Sequence, residues 1–435
     1  MACSPDQQGS SNRQMRVLLR DIDVKGIETF DVYRSRGGYS ALEKAVRELS
    51  PADVRETVSK SGLRGRGGAG FPAGRKWSAI PANGDKPILV LCNADEGEPG
   101  TFKDRLLMLR LPHLLIEGIV LCAYAVGAHV GYIYLRGEFA DCLRVLERAL
   151  QEARSAGYLG ENIAGSNFSF ELHIHRGLGA YICGDENALI ASLEGRRGWP
   201  RRKPPYIPVF IGLYGCPTVV NNVETLCNVS LIVKNGADWF AGIGTETSKG
   251  TKLFCLSGHV NRPGVYEAPM GTPLRELIFD LAGGIRGDRS FKAVFPGGVS
   301  VPILVEEHLD TPMDFESVPK AGSFLGSGGM IVMDDTTCMV SVALRCEQFY
   351  ASESCGQCTP CREGTVWMTQ ILERIENGKG EKGDIELLLD ICKNMIGQTL
   401  CPMGDFDAAP VESTIKYFRE EYEEHIRGGG CPFRS

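Results

Sequence analysis

The sequence predicts an α/β chain of roughly three domains, and three observations carry that expectation. Its 435 residues are about three times the ~150 of a typical domain. From residue 63 to about 240, glycine-rich loops alternate with apolar runs and helical segments, the pattern of strands covered by helices. Beyond Asp335 the pattern turns mostly helical, broken by cysteine-bearing loops at 353–364 and 398–407.

The elements follow in order. MACSPDQQGSSNRQ reads as a disordered tail, without the apolar core a secretory signal needs. Residues 15–62 read as short helices: SALEKAVREL ends at Ser50-Pro51, and PADVRETVSKSG starts with proline in its first turn and closes on Gly62. In the stretch from 63 to 240, ILVLCNAD (88–95) and YIYLRGEF (132–139) read as strands and LRVLERALQEARSAG (143–157) as a helix. The longest apolar run, 118–135, is broken by Gly127, His129 and Gly131. It predicts a buried helix over 114–125 turning at Gly127 into a strand over 130–135, not a membrane span. GIGTETSKGTK (242–252) reads as a linker. Beyond it KLFCLSGHV, PGVYEAP, TPLRELIFDLAGG and KAVFPGG predict strand, strand, helix, strand, a small α+β module spanning about 250–335. Residues 336–435 form the helical remainder, and no internal repeat is visible.

Composition narrows the function. The 47 basic and 54 acidic residues leave a net charge of −7, which argues against nucleic acid, because phosphate binding rests on dense Lys/Arg surfaces. Proteins and small molecules are the expected partners, and the chain is expected to be soluble or peripheral to a membrane. Sixteen cysteines without a signal peptide imply thiols in a reducing compartment. Twelve are scattered, as Cys122 and Cys255 are, and read as small buried hydrophobes.

LRGRGGAGFPAG (63–74) contains Gly65-Arg66-Gly67-Gly68-Ala69-Gly70, which matches G-x-G-x-x-G. The dinucleotide fingerprint needs a strand before the loop and a ribose-binding acid about 20 residues later, and neither is present; the spacing also fails a P-loop. What remains is bare backbone N–H groups able to approach a phosphate or flat ring, with Arg64, Arg66, Arg75 and Lys76 supplying positive charge. A glycine-rich surface loop is the plainer alternative. RGLGAYICGDENALIASLEG (176–195) sets glycines around Tyr181 and opens a helix with Asp185 and Glu186 in its first turn. That suits an anion or ribose hydroxyls, although for the acidic pair alone simple helix capping is the better reading. GCPTVVNNVETLCN adds Thr218, Asn221 and Asn222, able to grip a heterocycle edge or to form Asx turns.

The other four cysteines form a constellation. ESCGQCTPCREG places Cys355, Cys358 and Cys361 in a C-x2-C-x2-C run; three thiolates from one loop plus a distant fourth resemble the ligation of a [4Fe–4S] cluster. Zinc more often uses two separated pairs. Cys401, in a loop and followed by Pro402, is the expected fourth ligand; Cys392 sits within the helical pattern IELLLDICKNMI and reads as a core thiol. Arg362 beside the third ligand could offset the cluster's charge or simply face water.

GRGGAGFPAGRKW (65–77), CNADEGEPGTFKDR (92–105), GAYICGDENALIASLEG (179–195), PTVVNNVET (217–225) and ESCGQCTPCREG (353–364) together resemble the flavin-bearing NADH-oxidising subunit of respiratory complex I, NADH:quinone oxidoreductase (the F-type or 51-kDa subunit), over about 37–418. The resemblance implies a Rossmann-like α/β domain over 63–240 binding FMN and NADH, a ubiquitin-like β-grasp module, and a C-terminal helical bundle carrying a [4Fe–4S] cluster. It maps flavin contacts onto Gly65, Arg66, Gly67, Lys76, Asn93, Asp95, Glu96, Gly184, Asn221 and Asn222. It maps NADH contacts onto Phe71, Glu98, Tyr181, Glu186, Lys203 and Tyr206, with aromatic rings sandwiching the adenine. Asp185 joins this cofactor-binding set although, like Asn187, it departs from the family's usual residue there (Glu and Thr respectively); Ala79 stands where some members place a second stacking aromatic.

The implied activity is hydride acceptance from NADH onto FMN and single-electron transfer through the cluster toward quinone. No protein acid, base or nucleophile is expected. The implied partners are a thioredoxin-like [2Fe–2S] subunit and a larger iron–sulfur subunit, and the implied place is the cytoplasmic side of the inner membrane, peripheral to it. The same chemistry in an NAD-dependent formate dehydrogenase or hydrogenase is the nearest alternative, disfavoured modestly by the lack of fused thioredoxin-like or ferredoxin domains. A non-catalytic electron-transfer scaffold is a further one, which the complete flavin motifs disfavour.

Overall fold

The computed structural model describes residues 15–81 and 84–433, so the tail MACSPDQQGSSNRQ lies outside the described residues. Three short helices come first: α1 (Phe30–Ser35), α2 (Ser40–Glu48) and α3 (Pro51–Lys60). Ser50 caps α3 in a reciprocal box with Asp53, and Pro51 occupies its first turn, as Pro after a Ser cap favours. The glycine loop then leads into α4 (Ala73–Ser78).

The next elements are β1 (Leu89–Ala94), α5 (Lys103–Arg110), α6 (Pro112–Val126), β2 (Val130–Leu135), α7 (Ala140–Ser155), β3 (Glu171–Arg176), α8 (Glu186–Leu193), β4 (Thr218–Asn222), α9 (Val223–Asn235) and α10 (Ala237–Ala241). The four strands form one parallel sheet in the order β3-β2-β1-β4. LVLCNA of β1 is buried along almost its whole length, as a strand covered by helices on both faces must be. Helix α6, PHLLIEGIVLCAYAV, is buried nearly all round; a helix apolar on every side belongs inside a core. The left-handed Gly127 ends it, and β2 follows at the predicted bounds. No single helix among the described residues is long and apolar enough to cross a membrane.

The stretch 242–252 is not the free linker its composition suggests. Gly244 and Lys249 bridge each other, Ser248 is fully buried, and its hydroxyl donates to Glu316 Oε2 at 2.7 Å. Polar composition marked it as loose, but its hydroxyls are consumed by a neighbouring element that lies 68 residues away in sequence.

The second sheet comprises β5 (Thr251–Gly258), β6 (Gly264–Pro269), β7 (Phe291–Phe295) and, after α11 (Ser317–Lys320), β8 (Gly329–Asp334). Its order is β6-β5-β8-β7, with β5 and β8 parallel at the centre and antiparallel edges, a β-grasp arrangement. Two details differ from the sequence reading. The helix in TPLRELIFDLAGG is a π-helical segment, Glu276–Leu281, and the central strand β8 is missing from the predicted set because GSFLGSGG before it reads as loop. The chain closes with α12 (Met339–Glu353), α13 (Thr359–Glu376), α14 (Asp384–Met395) and α15 (Met403–Gly428), the last kinked at Phe418. They pack around Met368, Leu372, Leu388, Met395 and Val411.

Buried charges join the two sheets. Glu224, fully buried at the start of α9, pairs with Lys103 at 2.9 Å and with Lys252 of β5 at 3.6 Å, and accepts the Leu253 N–H at 2.9 Å. Burial pushes its carboxyl upward, but Lys103, Lys252 and Arg66 outweigh that and hold it below the ordinary carboxylate range. Burial takes the Lys252 ammonium down to about 8 against the pull of Glu224. Glu224→Gln leaves Lys252 buried without its counter-charge and Lys103 with Asp104 alone, and is expected to cost about 3–5 kcal/mol. The denaturant midpoint of the purified chain measures it; a midpoint unchanged from wild type contradicts the role given to this carboxylate.

Candidate functional site

Strand order fixes where a ligand can sit. With β2 and β3 to one side of β1 and β4 to the other, the strand order reverses between the parallel neighbours β1 and β4, and the crevice lies beyond their carboxyl ends. Asn93 and Asn222 are register partners there. Asn93 donates to the Gly184 carbonyl at 2.8 Å and accepts the Asp95 N–H at 3.1 Å. Asn222 caps α9 by accepting from the Glu224 and Thr225 N–H groups and donates to Asp104 Oδ2 at 2.6 Å. Asn221, one residue earlier and thus on the other face of the strand, is buried with its Nδ2 3.8 Å from Cys122 Sγ.

The glycine loop reaches the same crevice from outside the sheet. Gly65 and Phe71 close it by a 2.9 Å backbone bond, and the Arg66 N–H donates to Thr225 Oγ1 at 2.8 Å. A Cβ on Gly67 would stand 3.1 Å from Asn222, so the loop backbone lies against the N-terminus of α9. The charges expected to line this loop divide. The Arg66 guanidinium is buried and donates to the carbonyls of Lys249 (2.6 Å), Thr251 and Arg64; burial lowers its pKa to about 10. Arg64 pairs with Glu316 and lies over the Phe315 ring at 4.2 Å. Both therefore serve the junction with the β-grasp module, a correction to the reading that they charge the loop. Lys76 does face the crevice side, donating to the Val220 carbonyl at 3.0 Å and lying 3.5 Å from Glu186. Arg75 sits beside the Phe71 ring, 5.9 Å away.

The acidic residues after β1 have three different occupations. Asp95 is nearly enclosed: Arg136 approaches Oδ1 at 3.3 Å, while Oδ2 is buried with no donor among the described residues. Burial, only partly offset by Arg136, raises its pKa to about 7. Glu96 spends both oxygens on the N-terminus of α5, accepting from the Asp104 and Arg105 N–H groups at 2.8 and 2.9 Å. Glu98 accepts the Tyr181 hydroxyl at 2.7 Å and the Ser300 N–H at 3.0 Å, and burial raises its carboxyl above the ordinary value despite those donors. A Cβ on Gly298 would collide with the Glu98 carboxyl at 2.3 Å; only glycine lets the β-grasp loop close this wall.

Across the crevice, Asp185 caps α8 through the Asn187 and Ala188 N–H groups, the capping role favoured for it. Glu186 lies between Lys203 (2.7 Å) and Lys76. Burial pushes its carboxyl up, and the two lysines overcome that and hold it low. Asn187 donates to the Tyr206 carbonyl at 3.1 Å, so this departure from the family residue anchors the segment that bears Lys203 and Tyr206. Phe71 and Tyr206 are 46% and 39% exposed, leaving their ring faces open to solvent. Ala79 ends α4.

Cys355 and Cys358 lie in the loop between α12 and α13, Cys361 in the first turn of α13 and Cys401 ahead of α15. All four gather in one packed group with Tyr350 and Phe406. Leu400 N–H points at Cys358 Sγ at 3.3 Å, and Trp199 and Arg197 donate to the Cys355 carbonyl. Cys392 instead packs against Met368 in the helical core, 3.5 Å from its sulfur. Arg362 turns to the Gly356 carbonyl and Glu363. Four cysteines carried by two loops into one packed group, with an N–H donor beside Cys358, supply the soft sulfur donors an iron–sulfur cluster takes. The unpaired Asp95 oxygen and the open glycine backbone likewise suit a ligand carrying hydroxyls and phosphate. Sequence reasoning missed Ser300, Gly298, Trp199 and Arg197, which carry no local motif and come in over more than 80 residues, and gave no role to Glu353, the first residue of the cysteine motif.

Comparison with known proteins gives three family matches: Nuo51 FMN-binding domain over residues 58–231, SLBB domain over 252–319, and NADH-ubiquinone oxidoreductase-F iron-sulfur binding region over 341–425. The second F-type NADH-quinone oxidoreductase subunit of Rhizobium meliloti is 54% identical over 417 residues, 96% of this chain and 99% of that one. The corresponding F-type subunit of Mycobacterium tuberculosis is 54% identical over 93% of this chain and 90% of its own, and that of Escherichia coli 51% over 91% and 89%. Among solved structures, the NAD+-reducing [NiFe]-hydrogenase in the air-oxidised state matches with a TM-score of 0.82 and 39% identity, covering 95% of this chain and 67% of that chain.

The burial of Asp95 has a signed consequence. Its folded pKa of about 7 exceeds the ordinary 3.8, so between those values the folded state holds a proton the unfolded state has lost. Its contribution is therefore fully favourable below about pH 4 and declines as pH rises toward 7. Asp95→Asn is expected to remove that decline, flattening the stability profile by up to about 1.4 kcal/mol per pH unit. Denaturation of the ligand-free chain across pH 4.5–7 checks it; parallel profiles for the two proteins contradict it.

Proposed function

The chain belongs to the family of F-type NADH-quinone oxidoreductase subunits, and from that membership we propose how its own residues divide the work. It is an NADH dehydrogenase of the flavin-dependent kind, the electron-input subunit of a multisubunit complex, with FMN, NADH and a [4Fe–4S] cluster as its cofactors. When bound, FMN accepts hydride from NADH and releases the electrons singly, and the cluster takes them one at a time.

The backbone of Gly65, Arg66 and Gly67 would hold the flavin, and Lys76 would offer it positive charge. Asn93, Asp95 and Gly184 would complete the flavin site. Asn222 holds the α9 N-terminus toward the crevice, and Asn221 and Glu96 act from behind it, fixing β4 and α5. Phe71 and Tyr206 would flank the adenine, and Lys203 and Glu186, paired with each other at 2.7 Å, would hold the rest of the nucleotide. Asp185 stabilises the helix turn beneath them. Glu98, already desolvated and held by Tyr181 and Ser300, receives the nicotinamide amide. Cys355, Cys358, Cys361 and Cys401 hold the cluster. No side chain needs to move a proton in the hydride step; the chain binds, orients and excludes water.

One observation carries this reading. The residue that touches Glu98 through its hydroxyl, Tyr181, also donates its backbone N–H to Glu353 at 3.0 Å, two residues before Cys355. The nucleotide cleft and the thiolate group therefore share a wall. Partner subunits bearing further iron–sulfur centres, one thioredoxin-like with [2Fe–2S] and one larger, would continue the path, with the complex peripheral to the membrane on its cytoplasmic face. A diaphorase role in an NAD-linked hydrogenase fits the same chemistry, but identity is 54% to the quinone-reductase subunits against 39% to the hydrogenase chain.

Glu98→Gln is expected to keep its flavin yet lower kcat/KM for NADH with ferricyanide by about 10- to 100-fold, the loss of a charged hydrogen-bond acceptor. An unchanged kcat/KM contradicts the role given to Glu98. Cys401→Ser is expected to lose iron and acid-labile sulfide while Cys392→Ala retains both. The reverse pattern would reassign the fourth ligand.

A further inference from the structure

A second group of metal-binding side chains stands away from the cleft. Cys338, Glu376, His425 and Cys431 place their ligand atoms within 4.8 Å of one another. Cys338 Sγ and Glu376 Oε2 each lie 3.3 Å from His425 Nε2 and 3.9 Å from each other. The group shares no residue with the C-x2-C-x2-C loop. Cys338 precedes α12 and Cys355 follows it; the fifteen residues of that helix separate the two ends by about 22 Å.

The four residues come from four places: the cap of α12, the last residue of α13, the last turn of α15 and the tail beyond it. Cys338, Glu376 and His425 are buried. His425 Nδ1 lies 2.6 Å from the Glu421 carbonyl oxygen, which can only accept, so Nδ1 carries the proton. With Nδ1 so engaged, Nε2 faces Cys338 and Glu376, the orientation that a backbone carbonyl imposes on metal-bound imidazoles. The tail is held in place by close backbone contact: Gly378 has φ +72°, and a Cβ there would come 1.9 Å from the Gly429 carbonyl oxygen. Gly430 N–H returns to the His425 carbonyl at 3.0 Å. These contacts bring Cys431 over the other three.

Two thiols, one imidazole and one carboxylate make a closed set of four, the number and softness that Zn²⁺ takes in structural sites. Ca²⁺ and Mg²⁺ want oxygen ligands. We propose that Cys338, Glu376, His425 and Cys431 form a structural zinc site that fastens the C-terminal tail and the end of α15 to the α12–α13 hairpin. The proposal is independent of the flavin and cluster assignments.

The test uses the full chain, expressed with and without Cys431→Ser, which alters a residue at the bundle's edge. Metal content is read by mass spectrometry alongside iron and FMN. About one zinc per chain is expected in the wild type, falling at least tenfold in Cys431→Ser with iron and FMN unchanged. Co²⁺ exchanged into the wild-type site is expected to give a thiolate charge-transfer band and tetrahedral visible bands, both lost in the variant. Wild-type chain without zinc and without those bands overturns the proposal, whether Cys338 and Cys431 are then found as thiols or as a disulfide. Zinc retained in Cys431→Ser, or lost in Cys401→Ser, overturns it equally by placing the metal elsewhere.

Discussion

The architecture depends on one buried cluster of opposite charges. Glu224 stands between Lys103 of the flavin domain and Lys252 of the β-grasp sheet, in a setting where neither sign survives alone. Around it, Asp104 bonds Asn222 and pairs with Lys103, and Arg66 donates its guanidinium to the carbonyls of Lys249 and Thr251, just ahead of Lys252. An apolar junction would hold the two sheets together with freedom to slide; charges that must meet their partners fix the register. That register decides whether Ser300 and Gly298 reach Glu98, and so whether the cleft has its third wall.

This dependence explains how the polar residues near the cleft are used. Several that read as ligand-binding are already engaged within the protein: Asn222 and Asp185 cap helices, Glu96 caps α5, and Arg66 is buried in the junction. The surface left to a cofactor is largely glycine backbone, the Asp95 oxygen without a donor, and the Lys76–Glu186–Lys203 chain. Such a cleft is pre-organised, because its shape is fixed by groups that need no ligand to hold them, and pre-organisation spares a bound cofactor the cost of ordering the site. The exposed Phe71 and Tyr206 rings are the exception, left without cover at the surface.

Local pattern revealed what local physics determines. The α6–β2 run was legible because an all-apolar helix, a left-handed glycine and a short strand each leave a signature, and the cysteine loop was legible because close spacing forces thiols together. Cys401 over Cys392 could be read from a loop against a helical apolar period, which is the difference between the two environments found. The fourth central strand was hidden by its glycine-rich approach, and residues 242–252 looked like a linker because nothing nearby announces that Arg66 and Glu316 will bind them. The same blindness concealed Cys431: its neighbours Glu376, His425 and Cys338 lie up to 93 residues away in sequence, so it counted only as one of the twelve scattered cysteines.

The central claim is that the nucleotide cleft and the thiolate group are close enough, through the wall shared by Tyr181 and Glu353, to act as one electron path. Anaerobic titration of the purified chain with NADH, followed by flavin absorbance and by low-temperature electron paramagnetic resonance, tests it most directly. The account predicts that NADH bleaches the flavin and brings up the signal of a reduced [4Fe–4S] centre in the same titration. Flavin that bleaches fully while the iron centre stays silent, with the cluster intact and reducible by dithionite, would contradict it.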